Sequence, residues 1–145
     1  MQFLIVDDEP SDLELLEVAF AKVSDSQSTL QFSSANSALA ELERAVVDGR
    51  GDAIIIVTDL KMPRMDGIQF TTELRNRWAP GPLVIGLSTS GRQSDIDAFF
   101  RAGGNSYHEK PMGYHGTVEL CEQIRSYWST IELPTMSRRS DEEAI

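Results

Sequence analysis

The sequence is poor in several things, and each shortage closes off a class of protein. One cysteine, Cys121, stands in 145 residues, so no disulfide can form within the chain. The two histidines, His108 and His115, are isolated, without metal-ligand spacing, and neither makes a credible catalytic base. No apolar run approaches the roughly 20 residues that a membrane span needs. The run over residues 3–6 begins too early and is too short to act as a secretory signal. Positive charge is scarce: 13 Lys and Arg against 23 Asp and Glu leave a formal net charge of −10. That balance disfavours phosphate backbones and anionic membranes, so neither nucleic acid nor a membrane is an expected partner. The expectation is a soluble, cytoplasmic protein. No internal repeat or low-complexity tract is present, and a chain of this length makes one domain that buries roughly 70% of its extended surface.

What the sequence does have is a run of apolar stretches that stop at polar side chains. In IIIVTDLKMPRMDG, residues 54–67, Ile54, Ile55, Ile56 and Val57 are β-branched without polar alternation, the pattern of a strand covered on both faces of a parallel sheet. The strand ends at Asp59. Open α/β sheets place ligands at the C-terminal ends of central strands, and an ionised carboxylate there is costly unless a cation or hydrogen-bond donors face it. Residues 3–6 form a second apolar run, stopping at Asp7 and Asp8, and residues 83–87 a third, stopping at Ser88. A weaker strand over 105–109, with His108 and Glu109 unusually polar for a buried element, stops at Lys110 and Pro111. With these strands adjacent, three carboxylates, a hydroxyl and an ammonium meet at one sheet edge, a site for a divalent metal and an anion.

Helices alternate with these strands. Ser11 and Glu14 have capping-box spacing ahead of Leu13, Leu16, Phe20 and Val23. The polar residues 24–29 are a connection, and Leu30 with Phe32 suggests a short strand. Ser33 to Asn36 supply caps for a second helix with an Ala38, Leu39, Leu42, Ala45, Val46 stripe, ended by Gly49 and Gly51. A third helix begins at Asp66 and Gly67 and closes before Pro80 and Pro82. Ser94 is the expected cap of a fourth, with Ile96, Phe99 and Phe100, stopped at Gly103 and Gly104. The fifth, over 116–129, shows two stripes: Leu120, Ile124, Tyr127 and Ile131, and Val118, Cys121 and Trp128. A helix on a sheet needs one such face, so the spare stripe is a candidate subunit contact. Past Pro134 the chain turns polar and is expected to be loose. Met62 and Met65 read as packing residues and Cys121 as a core residue; Trp78 and Trp128 could be core or contact aromatics.

VDDEP after the first strand, Asp59 in DLKMPRMDG, Ser88 in GLSTS and Lys110 in YHEKP together resemble the response regulator receiver domain of two-component signalling. The match runs from about Gln2 to Ser129. The resemblance implies a doubly wound α/β fold, a five-stranded parallel sheet in flavodoxin-like order 2-1-3-4-5 with five helices, with a receiver domain over 1–130 and a tail over 131–145. It implies that Asp59 is the phosphoacceptor and that Mg2+ is held by Asp8, Asp59, the backbone carbonyl of Lys61, and Asp7 directly or through water. Magnesium suits such a site because it prefers oxygen ligands and takes only one or two carboxylates. Lys110 would pair with Asp59 and then with a phosphoryl oxygen, aimed by a cis bond before Pro111. Ser88 would be drawn to the phosphoryl group and Tyr107 would rotate inward as the switch. Thr89 and Ser90 read as loop hydroxyls.

The expected function is a stand-alone regulator phosphorylated by a sensor histidine kinase and acting by protein contact, since no effector domain follows. A tail and spare stripe of this kind are similar to those of regulators paired with phytochrome-type kinases. They suggest a homodimer through the fourth helix, last strand, last helix and tail, with Leu133, Pro134 and Met136 either an arm packed on a second subunit or simply disordered. Two other readings stand beside it. A haloacid-dehalogenase-like phosphohydrolase would need an acidic group two residues after the nucleophile, where this chain has Lys61. A receiver-like module that is never phosphorylated would usually lack part of the acidic set.

Overall fold

Strand β3, Ile54–Thr58, is buried along its whole length, as an unbroken β-branched run requires. The computed structural model describes residues 2–23, 29–51, 53–130 and 132–139. Around β3 lie β1 (Gln2–Val6), β2 (Leu30–Phe32), β4 (Leu83–Ser88) and β5 (Ser106–Glu109), all parallel, in the order β2-β1-β3-β4-β5. The expected doubly wound order is therefore the one observed. Alternate strand residues feed two cores. Phe3, Ile5, Ile55, Val57, Ile85 and Leu87 meet α1 (Pro10–Val23) and α5 (Gly113–Ser129) on one face. Leu4, Val6, Ile54, Ile56 and Val84 meet α2 (Ala35–Val47), α3 (Gly67–Arg77) and α4 (Gln93–Arg101) on the other.

Helix starts differ from the spacing-based expectation in three places. Ser11 is not the cap of α1: the helix opens at Pro10, with Leu13 N–H already bonded to the Glu9 carbonyl. Proline suits that first position because its missing N–H would have had no helical partner. Ser94 is the second residue of α4, not its cap, because Arg92 takes the cap position and no side chain bonds there. Helix α5 begins three residues before Gly116, with Thr117 Oγ1 donating to the Gly113 carbonyl. The caps at Ser34 and Asp66 are where expected, and Asp66 forms a full capping box with Gln69.

The two stripes of α5 do not face two ways. Leu120 and Ile124 from one and Cys121 from the other are buried together with Thr117, and Val118 and Trp128 pack at their margin. The helix lies in the angle between α1 and the sheet, so its buried sector is wider than one stripe. Tyr127 is the exception, 65% exposed; Ile131 falls outside the described residues.

The tail, expected to be loose, returns over residues 132–139 to its own domain. Leu133 packs at the α1/α5 core and Met136 is buried in the other, 5% exposed. Ala79 N–H donates to the Ser137 carbonyl, Ser137 N–H to Pro80 and Arg139 N–H to Arg77. Arg138 stacks over the buried Trp78 ring and pairs with Glu43 of α2. Trp78 is thus core, and Trp128 is partly so.

Candidate functional site

Register builds the site. Val6 and Thr58 are partners across β1 and β3, so the next residues, Asp7 and Asp59, leave neighbouring strands at one level. Ser88 ends β4 opposite Glu109, and the next residue, Lys110, has its N–H bonded to the Ser88 carbonyl. Carboxylate oxygens of Asp7, Asp8 and Asp59 all lie within 4.8 Å of one another. Lys110 Nζ reaches Asp7 Oδ2 at 2.8 Å and Asp59 Oδ2 at 3.1 Å.

Each group is fixed by local structure. Asp7 Oδ1 accepts the Glu9 N–H at 3.0 Å, and Asp59 Oδ1 accepts the Lys61 N–H at 3.3 Å. Gly67, where α3 begins, lies so close to the site strand that a Cβ there would sit 2.2 Å from the Asp59 carbonyl oxygen. Asp7 is 1% exposed, and burial raises its pKa despite the opposing bond and charge of Lys110. For Lys110, burial alone would pull the ammonium down, but bonds to Asp12 and Asp7 and the charges of Asp7 and Asp59 outweigh it, and its pKa is raised. Lys110 is therefore a partly buried cation shared by several carboxylates, of which the buried Asp7 is not fully compensated, the setting in which a second, divalent cation is favourable.

Lys110 needs no cis bond to point this way. Among the described residues the one cis peptide is Ala79–Pro80, so the expected cis bond before Pro111 is not present; the carboxylates aim the side chain instead. Ser88 is buried and its Oγ accepts the Ser90 N–H. Tyr107 is half-buried beside Phe99, and its hydroxyl donates to the Ser90 carbonyl, so the ring already points to the site end of the sheet. His108 lies on β5 apart from this cluster, and burial lowers its pKa.

Two residues escaped the sequence reading. Asp12, in the first turn of α1, accepts Lys110 Nζ at 2.8 Å. Asp95, in the first turn of α4, accepts the Ser90 hydroxyl at 2.8 Å and pairs with Lys61 Nζ at 3.3 Å; these partners lower its pKa, the Ser90 bond first. Acidic residues in a first turn are ordinary complements to the helix dipole, so neither position signals a site on its own. Lys61 itself is thereby turned toward α4 while its N–H faces Asp59.

A parallel sheet in this order, with an acidic cluster and a lysine at the C-terminal strand ends, defines a receiver-type α/β domain. The chain belongs to the response regulator receiver domain family, whose model matches residues 3–125. It is 30% identical over 124 residues, 85% of this chain and 88% of the relative, to an uncharacterized 14.6 kDa protein of Leptolyngbya boryana. Among solved structures it resembles response regulator RPA3017, in red light signaling of R. palustris, at 29% identity and a TM-score of 0.79, covering 92% of this chain and 98% of the other. It also resembles the phosphorylated cyanobacterial phytochrome response regulator RcpA, at 25% identity and a TM-score of 0.77, covering 92% and 97%. Receiver domains generally bind Mg2+ in an acidic pocket, and the Asp7, Asp8 and Asp59 oxygens fit such a hard cation in donor type and spacing.

Proposed function

We propose that this protein is a phosphorylation switch in which Asp59 accepts a phosphoryl group from a sensor histidine kinase and the change is read out by protein contact. The observation that carries the reading is the convergence of Asp7, Asp8 and Asp59 with Lys110 at one sheet edge. An Asp59 oxygen attacks phosphorus, the P–N bond to the kinase imidazole breaks, and an acyl phosphate forms. Asp8, Asp59, the Lys61 carbonyl, and Asp7 directly or through water would hold Mg2+. When bound, the ion offsets repulsion between carboxylate and phosphoryl oxygens, which otherwise carry the same sign. Lys110 supplies N–H donors toward the phosphoryl oxygens. Ser88 offers its hydroxyl from β4, and because Tyr107 is bonded to the Ser90 carbonyl two residues on, movement of that loop is transmitted to β5 and the α4 surface.

The partners this reading names are a histidine kinase, with the phytochrome type favoured by the likeness to RcpA, and a second copy of the chain. The exposed Phe100 of α4 and Tyr127 of α5 support contact through that side. Scattering-coupled size exclusion of the full chain, compared with Phe100→Ser and Tyr127→Ser, tests it; a monomeric wild type ends the dimer reading. A phosphohydrolase is disfavoured because Lys61, paired with Asp95, cannot protonate a leaving group as a carboxylic acid would. The decisive experiment incubates the protein with Mg2+ and acetyl phosphate. Mass gain in the wild type and none in Asp59→Asn is expected; equal gain in both would place the acceptor elsewhere.

A further inference from the structure

A lysine ammonium has three N–H donors and no more. In this structure all three directions are taken by carboxylates: Asp7 and Asp12 at 2.8 Å each and Asp59 at 3.1 Å. The longest contact is the one to the acceptor. Asp7 and Asp59 belong to the cluster whose oxygens converge on a cation position, whereas Asp12 does not. Asp12 stands on α1, and its side chain is 38% exposed while that of Asp7 is 1% exposed. Releasing Asp12 therefore strips no buried carboxylate of its counter-charge, whereas releasing Asp7 would.

We infer that Asp12 is a positioning residue that competes with the phosphoryl group for Lys110, drawing the ammonium toward α1 in the resting state and loosening its hold when the site is loaded. This rests on the reading of Asp59 as the acceptor. Loading removes the carboxylate charge of Asp59 and puts negative charge on the phosphoryl oxygens, so the N–H now on Asp59 passes to one of them, and Asp12, the partner that water can re-solvate, is what competes with the ammonium's move toward them. The Asp12 bond is thus a cost of loading set by the sequence at one position of α1, adjustable without touching the acceptor or the metal ligands. No covalent bond is made or broken at Asp12.

The test measures binding of beryllofluoride, a non-transferable stand-in for the phosphoryl group, to the full-length protein by 19F NMR at saturating Mg2+. Asp12→Asn should bind it about tenfold more tightly than the wild type, the low end of what one charge-assisted hydrogen bond contributes. Asp12→Glu should return toward the wild-type affinity. Glu9→Gln removes the same charge from an exposed neighbour that does not touch Lys110, and should change the affinity less than about twofold, as expected of a screened surface charge. Equal tightening in Asp12→Asn and Glu9→Gln, no change in Asp12→Asn, or weaker binding would overturn the proposal. Wild-type protein that binds no beryllofluoride, and gains no mass from acetyl phosphate, would instead overturn the reading of the site on which the proposal stands.

Discussion

At the scale of single residues, the chemistry of this protein is set by which groups are denied water. Cys121 is fully buried among Leu120, Ile124 and the α1 residues, and burial pushes its thiol up to about 12 from an ordinary 9.0. A thiol attacks disulfide reagents only as thiolate, so at pH 8 Ellman's reagent should leave the folded protein unmodified and titrate one thiol after unfolding in guanidinium. Because the folded state holds this proton more tightly than the unfolded chain, stability is unaffected below pH 9 and falls as pH rises from there toward 12. Urea midpoints at pH 8 and 10.5 should therefore draw together less in the wild type than in Cys121→Ala, which lacks this contribution to the alkaline loss. Lys110 shows the opposite charge logic. Removing the ammonium in Lys110→Met leaves Asp7 buried without its counter-charge, and loss of one partner of such a pair costs about 3–5 kcal/mol. A urea-unfolding loss of that order, in metal-free buffer at pH 7, is expected; a loss below about 1 kcal/mol would mean that Asp7 finds another donor.

At the scale of elements, close approach matters more than propensity. Helix α3 starts against the Asp59 backbone because residue 67 is glycine: a Cβ would meet the Asp59 carbonyl oxygen at 2.2 Å and Leu60 Cα at 2.9 Å. Backbone cannot give way as a flexible side chain can, so Gly67→Ala should cost at least the 1–3 kcal/mol typical of overpacking, about 2 kcal/mol, and also slow acetyl phosphate labelling by displacing Asp59. Wild-type stability and labelling rate in that variant would refute the account. The tail makes a second case. Met136 is buried where residues 132–139 cross α2, α3 and the loop before β3. Met136→Ala should lower unfolding free energy by about 2–3 kcal/mol, whereas Arg138→Ala, which loses an exposed pair with Glu43 and a stack on Trp78, should cost about 1 kcal/mol; thermal or urea melts separate the two.

These elements also show what was legible in the sequence and what was not. The central strands were readable as apolar runs, and most of the site because Asp7, Asp8, Asp59 and Ser88 stop such runs, whereas the polar strand before Lys110 was placed by likeness to a family. Strand order came from likeness to a family, since periodicity carries no information on which strands are neighbours. Helix starts at Ser11 and Ser94 were misplaced because a capping residue and a first-turn serine look alike until the backbone is known. The α5 stripes were misread because a helical wheel does not show that α1 and the sheet cover the helix from two sides. Asp12 and Asp95 were invisible for a similar reason: their partners, Lys110 and Lys61, are 98 and 34 positions away along the chain, and no local pattern marks such pairs.

At the scale of the whole molecule, a net charge of −10 favours cations over anions, and at the Asp7, Asp8 and Asp59 edge Lys110 is the cation bound to the carboxylates. A divalent ion arriving there must share Asp7 and Asp59 with that ammonium, so metal binding and Lys110 are linked with a definite sign. A ligand that binds the folded state alone stabilises it by an amount that grows with the ratio of its concentration to Kd, about 2.7 kcal/mol at a hundredfold excess. Mg2+ should therefore raise the melting temperature of the wild type, and Asp8→Asn or Asp59→Asn should remove most of the rise. Lys110→Met should melt lower than the wild type without metal yet gain more from the same Mg2+ concentration, because the ion replaces the missing counter-charge without competing for its ligands. A differential scanning series over Mg2+ concentration checks both halves at once. If Lys110→Met gained less than the wild type, the ammonium would be organising the carboxylates for the ion rather than competing with it, and the electrostatic account of the site would have to be reversed.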